Sequence, residues 1–299
     1  MTVETRFAEI GARVKVRDIP RPRVVRPVRP RWRPQWMVLP DPPGRVFNPP
    51  RLDVRRDRKG EYFDIAVPEG VEMEVLDADK NARHLLLLAR LDDKGDKARY
   101  LCGHDERHWF VAAIPESYPA SNVQEAKVAL QPKAIRDLAE RLPKAKRTAR
   151  HNEVYHRQGE WFFVPAPDFE PQPHDILLRN EPLSRGRGST PHMVAEMIRS
   201  GGETRYQADR ASTVIGIGER AKEIREALNN RTLTAGEKSA MEARFPEVSW
   251  RSVLVNPTVY VRGPVRHSDH ATLDLKSWHR VVMSAENQAR AASHVVFID

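Results

Sequence analysis

The sequence predicts an α+β fold: a mainly antiparallel β body with helical connections, preceded by an extended basic N-terminal arm. Three observations carry that expectation. Short runs with strand composition, bounded by Gly, Pro or Asp, recur through residues 60–180 and again after Trp250. Helix start signals fall in the connections between those runs. Residues 20–50 hold 10 prolines and seven arginines against one acid, and no helix crosses such a stretch. Proline there removes an N–H donor and drives the residue before it out of the α region. The expected organisation is an arm over residues 1–59, a β-rich region over 60–180 and a mixed region over 181–299.

The arm also carries the charge. The chain has 299 residues and a net charge of +9. Residues 1–59 contribute 16 Lys+Arg against 6 Asp+Glu, so the remainder is close to neutral. Planar guanidinium groups interleaved with indoles suit phosphate contacts and base stacking. On that basis Arg21, Arg23, Arg26, Arg29, Arg31 and Arg33 are expected to contact phosphate, with Trp32 and Trp36 stacking on bases of RNA or single-stranded DNA. The apolar run Trp36 to Leu39 supports a different occupant, a protein partner to which the arm straps the body as an assembly subunit. A second basic stretch, 133–150, reads either as a continuation of the phosphate surface or as cations at helix ends.

Within the body, three decapeptides align without gaps: Gly60–Glu69, Arg107–Glu116 and Gly159–Asp168. Each places an aromatic residue before Phe and closes with Pro and an acid, the pattern of a short strand entered by a turn and stopped by proline. This is a candidate internal repeat. After the first copy a meander is expected, with His84–Leu91 and Arg99–Cys102 flanking an Asp-Asp-Lys-Gly turn. After the second comes a helical stretch, Val123–Leu142, interrupted at Pro132. In the third region, Thr190 and Pro191 suggest an N-cap and first turn for a helix over His192–Arg199. Glu219–Asn229 also reads as helix, and Thr234 with Glu237 forms a capping box for another. Strands follow at Ser252–Val255, Val259–Arg262, Leu273–Leu275, Trp278–Met283 and His294–Ile298.

Several chemistries are excluded by composition. Cys102 is the single cysteine, which removes internal disulfides and every zinc site built on two thiolates. The longest aliphatic run, Leu85–Ala89, is far short of the roughly 20 residues that cross a bilayer, so no membrane partner is expected. The first residues lack a signal-peptide pattern, and a cytoplasmic location is expected. No organic cofactor is expected.

What remains is a short set of candidates. His267, Asp269 and His270, followed by His279, form the densest group of ligand-type residues, and neutral imidazole with carboxylate suits a divalent metal. They are the alternative centre of function, as a metal-dependent hydrolase or nuclease. The segment 184–191, SRGRGSTP, offers small residues plus Arg185 and Arg187 as an anion contact from the body. Gly216-Ile-Gly218 has the shape of a dinucleotide loop but lacks a βαβ context. Cys102, near His104, reads as a strand-end hydrophobe before it reads as a nucleophile.

Overall fold

A computed structural model describes residues 2–20, 47–91, 95–184, 190–209, 223–224, 227–228 and 231–296. A short helix, α1 (Val3–Glu9), capped by the Thr2 hydroxyl, leads into β1 (Val14–Ile19). Strands β2 (Arg51–Asp57) and β3 (Gly60–Pro68) form a tight antiparallel hairpin, with β1 parallel to β3. The C-terminal strand β16 (Val295–Val296) joins β2 in parallel and completes a four-stranded sheet ordered β1-β3-β2-β16. The arm expected over 1–59 is therefore narrower than its composition suggests. Its two ends are folded into this sheet, and the Arg/Trp-rich part, 21–46, lies outside the described residues.

The second sheet is the expected meander, extended to four strands: β4 (Glu72–Asp79), β5 (His84–Arg90), β6 (Lys97–Asp105) and β7 (His108–Ile114). Its central strand explains the aliphatic run in the sequence. Leu85 and Leu87 face a core shared with Phe7, Leu52, Phe63 and Ile65 of the first sheet. Leu86 faces the other way, onto Leu101 and Ala112 and the apolar side of α2 (Val123–Ala129). A strand buried on both faces has no polar alternation to display. Pro132 separates α2 from α3 (Lys133–Ala139), as expected of a residue that cannot continue a helix.

The third sheet has six strands, ordered β10-β11-β14-β15-β9-β8. It comprises β8 (His156–Gln158), β9 (Trp161–Pro165), β10 (Leu178–Leu183), β11 (His192–Ser200), β14 (Thr258–His267) and β15 (His270–Met283). Phe163, Val194, Met197, Val261, Val265 and Leu275 fill one face, while Phe162 packs with Tyr155 and Ile135 of α3 on the other. A ribbon of β12 (Glu203–Ala208) and β13 (Trp250–Val255) stands apart with α4 (Ala235–Arg244), whose Thr234/Glu237 capping box is present as expected. Of the expected helix Glu219–Asn229, the described residues Glu223, Ile224, Ala227 and Leu228 are helical.

Two elements differ from their sequence reading. The segment His192–Arg199 is a strand, β11, paired on both sides. A register shift between Val194 and Glu196 breaks its alternation, so the buried positions His192, Val194, Met197 and Ile198 imitate helical spacing. Leu273–Leu275 and Trp278–Met283 are halves of one 14-residue strand, β15, whose irregular register against β14 hides its continuity. The three decapeptides become β3, β7 and β9, each the return strand of a hairpin, in three different sheets. Among the described residues, no helix is long and apolar enough to cross a membrane.

Candidate metal centre

The turn joining β14 to β15 occupies Ser268 and Asp269 alone, so His267 and His270 are directly opposed across the hairpin. Residues facing each other on paired strands project to the same side. On the other flank of β14, Met193 is paired with Arg266, which sets His192 at the start of β11 beside His267. Three imidazoles distant in sequence are thereby brought together by strand register. The His192 and His267 rings stack with centroids 4.2 Å apart and planes 20° apart, and His270 lies 5.0 Å from His267 and 5.6 Å from His192. One ring nitrogen from each lies within 4.8 Å of the other two.

The hydrogen bonding of each ring assigns its lone pair. His267 Nδ1 accepts from the Asp269 N–H at 3.2 Å, which makes Nε2 the protonated nitrogen that donates to Thr190 O at 3.2 Å. His192 is 1% exposed, and among the described residues neither of its nitrogens has a hydrogen-bond partner. His270 Nδ1 is likewise buried and unpartnered there. Each such group costs about 1–3 kcal/mol if left unsatisfied. Burial, reinforced by His267 and His270, pushes the His192 pKa down to about 3, and burial also lowers that of His270. Both rings are therefore neutral near pH 7 and keep the lone pairs that metal ligation requires.

Gly159, in the β8–β9 turn, completes the site from a third direction. Its φ of +56° lies in the left-handed region. A Cβ at this position would stand 3.1 Å from His270 Nε2 and 3.3 Å from His192 Nε2. The missing side chain thus leaves open the space on which two ring nitrogens converge. The donor set, three imidazoles with no thiolate, suits zinc-class divalent ions. Because an imidazole lone pair lies in its ring plane, two stacked rings share one ion only after one of them turns about χ2, a soft torsion for histidine.

Carboxylates surround the three rings on a cavity of about 120 Å³ that also includes Trp109 and Arg157 in its walls. Asp105, from the β6–β7 hairpin of the second sheet, lines it with Glu160, Asp269 and Glu286. Asp105 and Glu106 share Arg150, at 3.1 and 2.6 Å. His108 donates from Nδ1 to Glu61 Oε1 at 2.5 Å, and its Nε2 lies 3.7 Å from Asp269 Oδ1. Asp269 Oδ2 is 4.0 Å from His267 Nδ1.

Of the expected metal residues, His267, Asp269 and His270 meet in this cavity, whereas His279 does not line it. Nine residues further along β15, the His279 Nδ1–H donates to Ser277 O, and its ring neighbours His156 at 5.7 Å, itself 5.3 Å from His151. His192 and Gly159 are not legible as site residues in the sequence. The signal available for His192 is its two-residue spacing to Val194, obscured by the Thr190-Pro191 helix signature. The expected nucleic-acid contacts Arg21, Arg23, Arg26, Arg29, Arg31, Trp32, Arg33, Trp36, Arg185 and Arg187, and the Gly216–Gly218 motif, lie outside the described residues. In the second basic stretch, Arg136 donates to Gln131 O, Arg147 donates to Leu142 O and Glu140 O, and Lys133, Lys146 and Arg150 pair with carboxylates. Cys102 is fully buried, and burial pushes its thiol pKa up, so it packs as a small hydrophobe.

No family model matches the chain, and neither the curated proteins nor the solved structures contain a match.

Proposed function

We propose that the protein is a metal-dependent hydrolase whose divalent ion, of the zinc class, is held by His192, His267 and His270. The observation that carries this reading is the convergence of three imidazoles, two of them facing the open side of Gly159, with His192 buried and unpartnered at both nitrogens among the described residues. Three protein ligands are the usual complement of a catalytic zinc site, and such an ion supplies Lewis-acid activation of water near neutral pH. In this reading His192 and His270 ligate through Nε2. His267 ligates through Nδ1, which gives up the Asp269 N–H it accepts in the metal-free geometry, while its Nε2–H stays on Thr190 O. Asp269 and His108 stand on the solvent side, where Asp269 Oδ1 and His108 Nε2 are acceptors for a proton leaving the site. Glu61 holds the His108 ring by its Nδ1–H, which keeps Nε2 as the accepting atom.

The test is calorimetric titration of zinc into metal-stripped, tag-free protein, alongside His192→Ala and His267→Ala. One site per chain is expected for the parent, with at least a hundredfold weaker binding in either variant. Zinc binding unchanged by both substitutions removes the reading.

A second reading rests on the charge of the sequence. We infer that the excess of 16 bases over 6 acids in residues 1–59 engages RNA or single-stranded DNA. Phosphate neutralisation by arginine makes affinity fall with salt. Replacing Arg21, Arg23, Arg26, Arg29, Arg31 and Arg33 by serine is expected to flatten the slope of log affinity against log salt, measured by fluorescence anisotropy with labelled single strands. A parent protein that binds neither nucleic acid, or a variant with an unchanged slope, contradicts this reading and leaves the arm as a strap for a protein partner.

A further inference from the structure

The imidazoles all belong to the six-stranded sheet, yet the carboxylate nearest His270 comes from the second sheet. Glu106 sits at the tip of the β6–β7 hairpin with a φ of +40°, a left-handed conformation that a β-carbon disfavours by about 1–2 kcal/mol. Three contacts hold that tip against the histidine-bearing hairpin. Glu106 Oε2 accepts the Ala271 N–H at 2.6 Å, Arg107 donates to Ser268 O at 3.1 Å, and His108 Nε2 faces Asp269 at 3.7 Å. Arg150 fixes the other carboxylate oxygen, Oε1, at 2.6 Å. The carboxylate so held lies 3.9 Å from His270 Nδ1, a buried nitrogen with no other partner among the described residues.

We infer that Glu106 is the positioning carboxylate of the metal centre. It receives the Nδ1–H of His270, fixes the tautomer that presents Nε2 to the ion, and makes metal affinity a joint property of the two sheets. This rests on the metal reading above. The physical argument is that a ligating imidazole is strengthened as a donor, and held in one orientation, when its remote N–H meets a carboxylate. At 3.9 Å that contact is not yet a hydrogen bond, and a turn of the His270 ring toward His192 and His267 closes it. The backbone strain at Glu106 is consistent with a residue held in place by its surroundings for such a role.

The experiment compares zinc affinity, by competition with a chromophoric chelator, in full-length parent, Glu106→Gln and Arg150→Gln. The Glu106→Gln variant keeps a side-chain oxygen for the Ala271 N–H but loses the charge, so a purely structural anchor survives the change. Arg150→Gln breaks the same ion pair and leaves the carboxylate. Binding about 10- to 100-fold weaker in Glu106→Gln, with Arg150→Gln within about threefold of the parent, is the expected result. Equal weakening in both variants, or none in Glu106→Gln, overturns the inference while leaving the metal centre standing. A parent that binds no zinc overturns both. If Glu106→Gln fails to fold by circular dichroism, Glu106→Asp replaces it, with affinity expected between the parent and Glu106→Ala, and affinity equal to that of Glu106→Ala contradicting the assignment.

Discussion

At the scale of single residues, Gly159 is the most demanding position in the centre. Its left-handed backbone disfavours a β-carbon, which at 3.1 Å from His270 Nε2 would also push that ring back by a few tenths of an ångström. Gly159→Ala is expected to destabilise the fold by about 1–2 kcal/mol in urea unfolding, from the φ penalty. It is also expected to abolish zinc binding, because the methyl group fills the space the ring nitrogens face. Intact zinc affinity in this variant places the ion elsewhere. His267, Asp269 and His270 are legible in the sequence because they are neighbours and their spacing fits a hairpin end. His192, 75 residues earlier, is not, since only strand register brings it to His267. His279 looks equivalent on composition, but along a strand it is carried away from the turn and its Nδ1–H is committed to Ser277 O.

Among the elements, β5 and β11 show how packing overrides local pattern. The unbroken apolar run of β5 reflects burial on two faces, and its first residue, His84, is partly buried beside it. Desolvation, with the nearby Lys127 charge, pushes the His84 pKa down to about 4. The unfolded chain, with an ordinary value of about 6.5, then takes up a proton that the folded chain refuses. The stability contributed by a neutral His84 is present above about pH 6.5 and is lost as pH falls toward about 4. Thermal unfolding of the parent between about pH 7 and 4.5 is expected to drop more steeply than that of His84→Gln, and identical slopes would contradict the assignment. The meander and the α4 capping box are readable because turn chemistry and a local hydrogen-bond pair specify them within a few residues. The strand β11 reads as helix because Thr190 and Pro191 imitate an N-cap and first helical turn, while its partner β14 is remote in sequence.

For the whole molecule, the β6–β7 hairpin, with Asp105 and Glu106, meets the β14–β15 hairpin, with His267, Asp269 and His270, at the candidate centre. The fold class is legible from composition and punctuation, as mainly antiparallel sheets with helices in the connections. The extent of the arm is not. Leu52 and Val54 are core residues of the first sheet, although Arg51, Arg55 and Arg56 around them give the segment the composition of a basic tail. The most direct measurement of the central claim is anomalous-difference crystallography at the zinc edge on zinc-loaded, tag-free protein. A single peak about 2.0–2.1 Å from His192 Nε2, His267 Nδ1 and His270 Nε2 is expected. No peak among these rings, or a peak beside His151, His156 and His279 instead, would contradict the account.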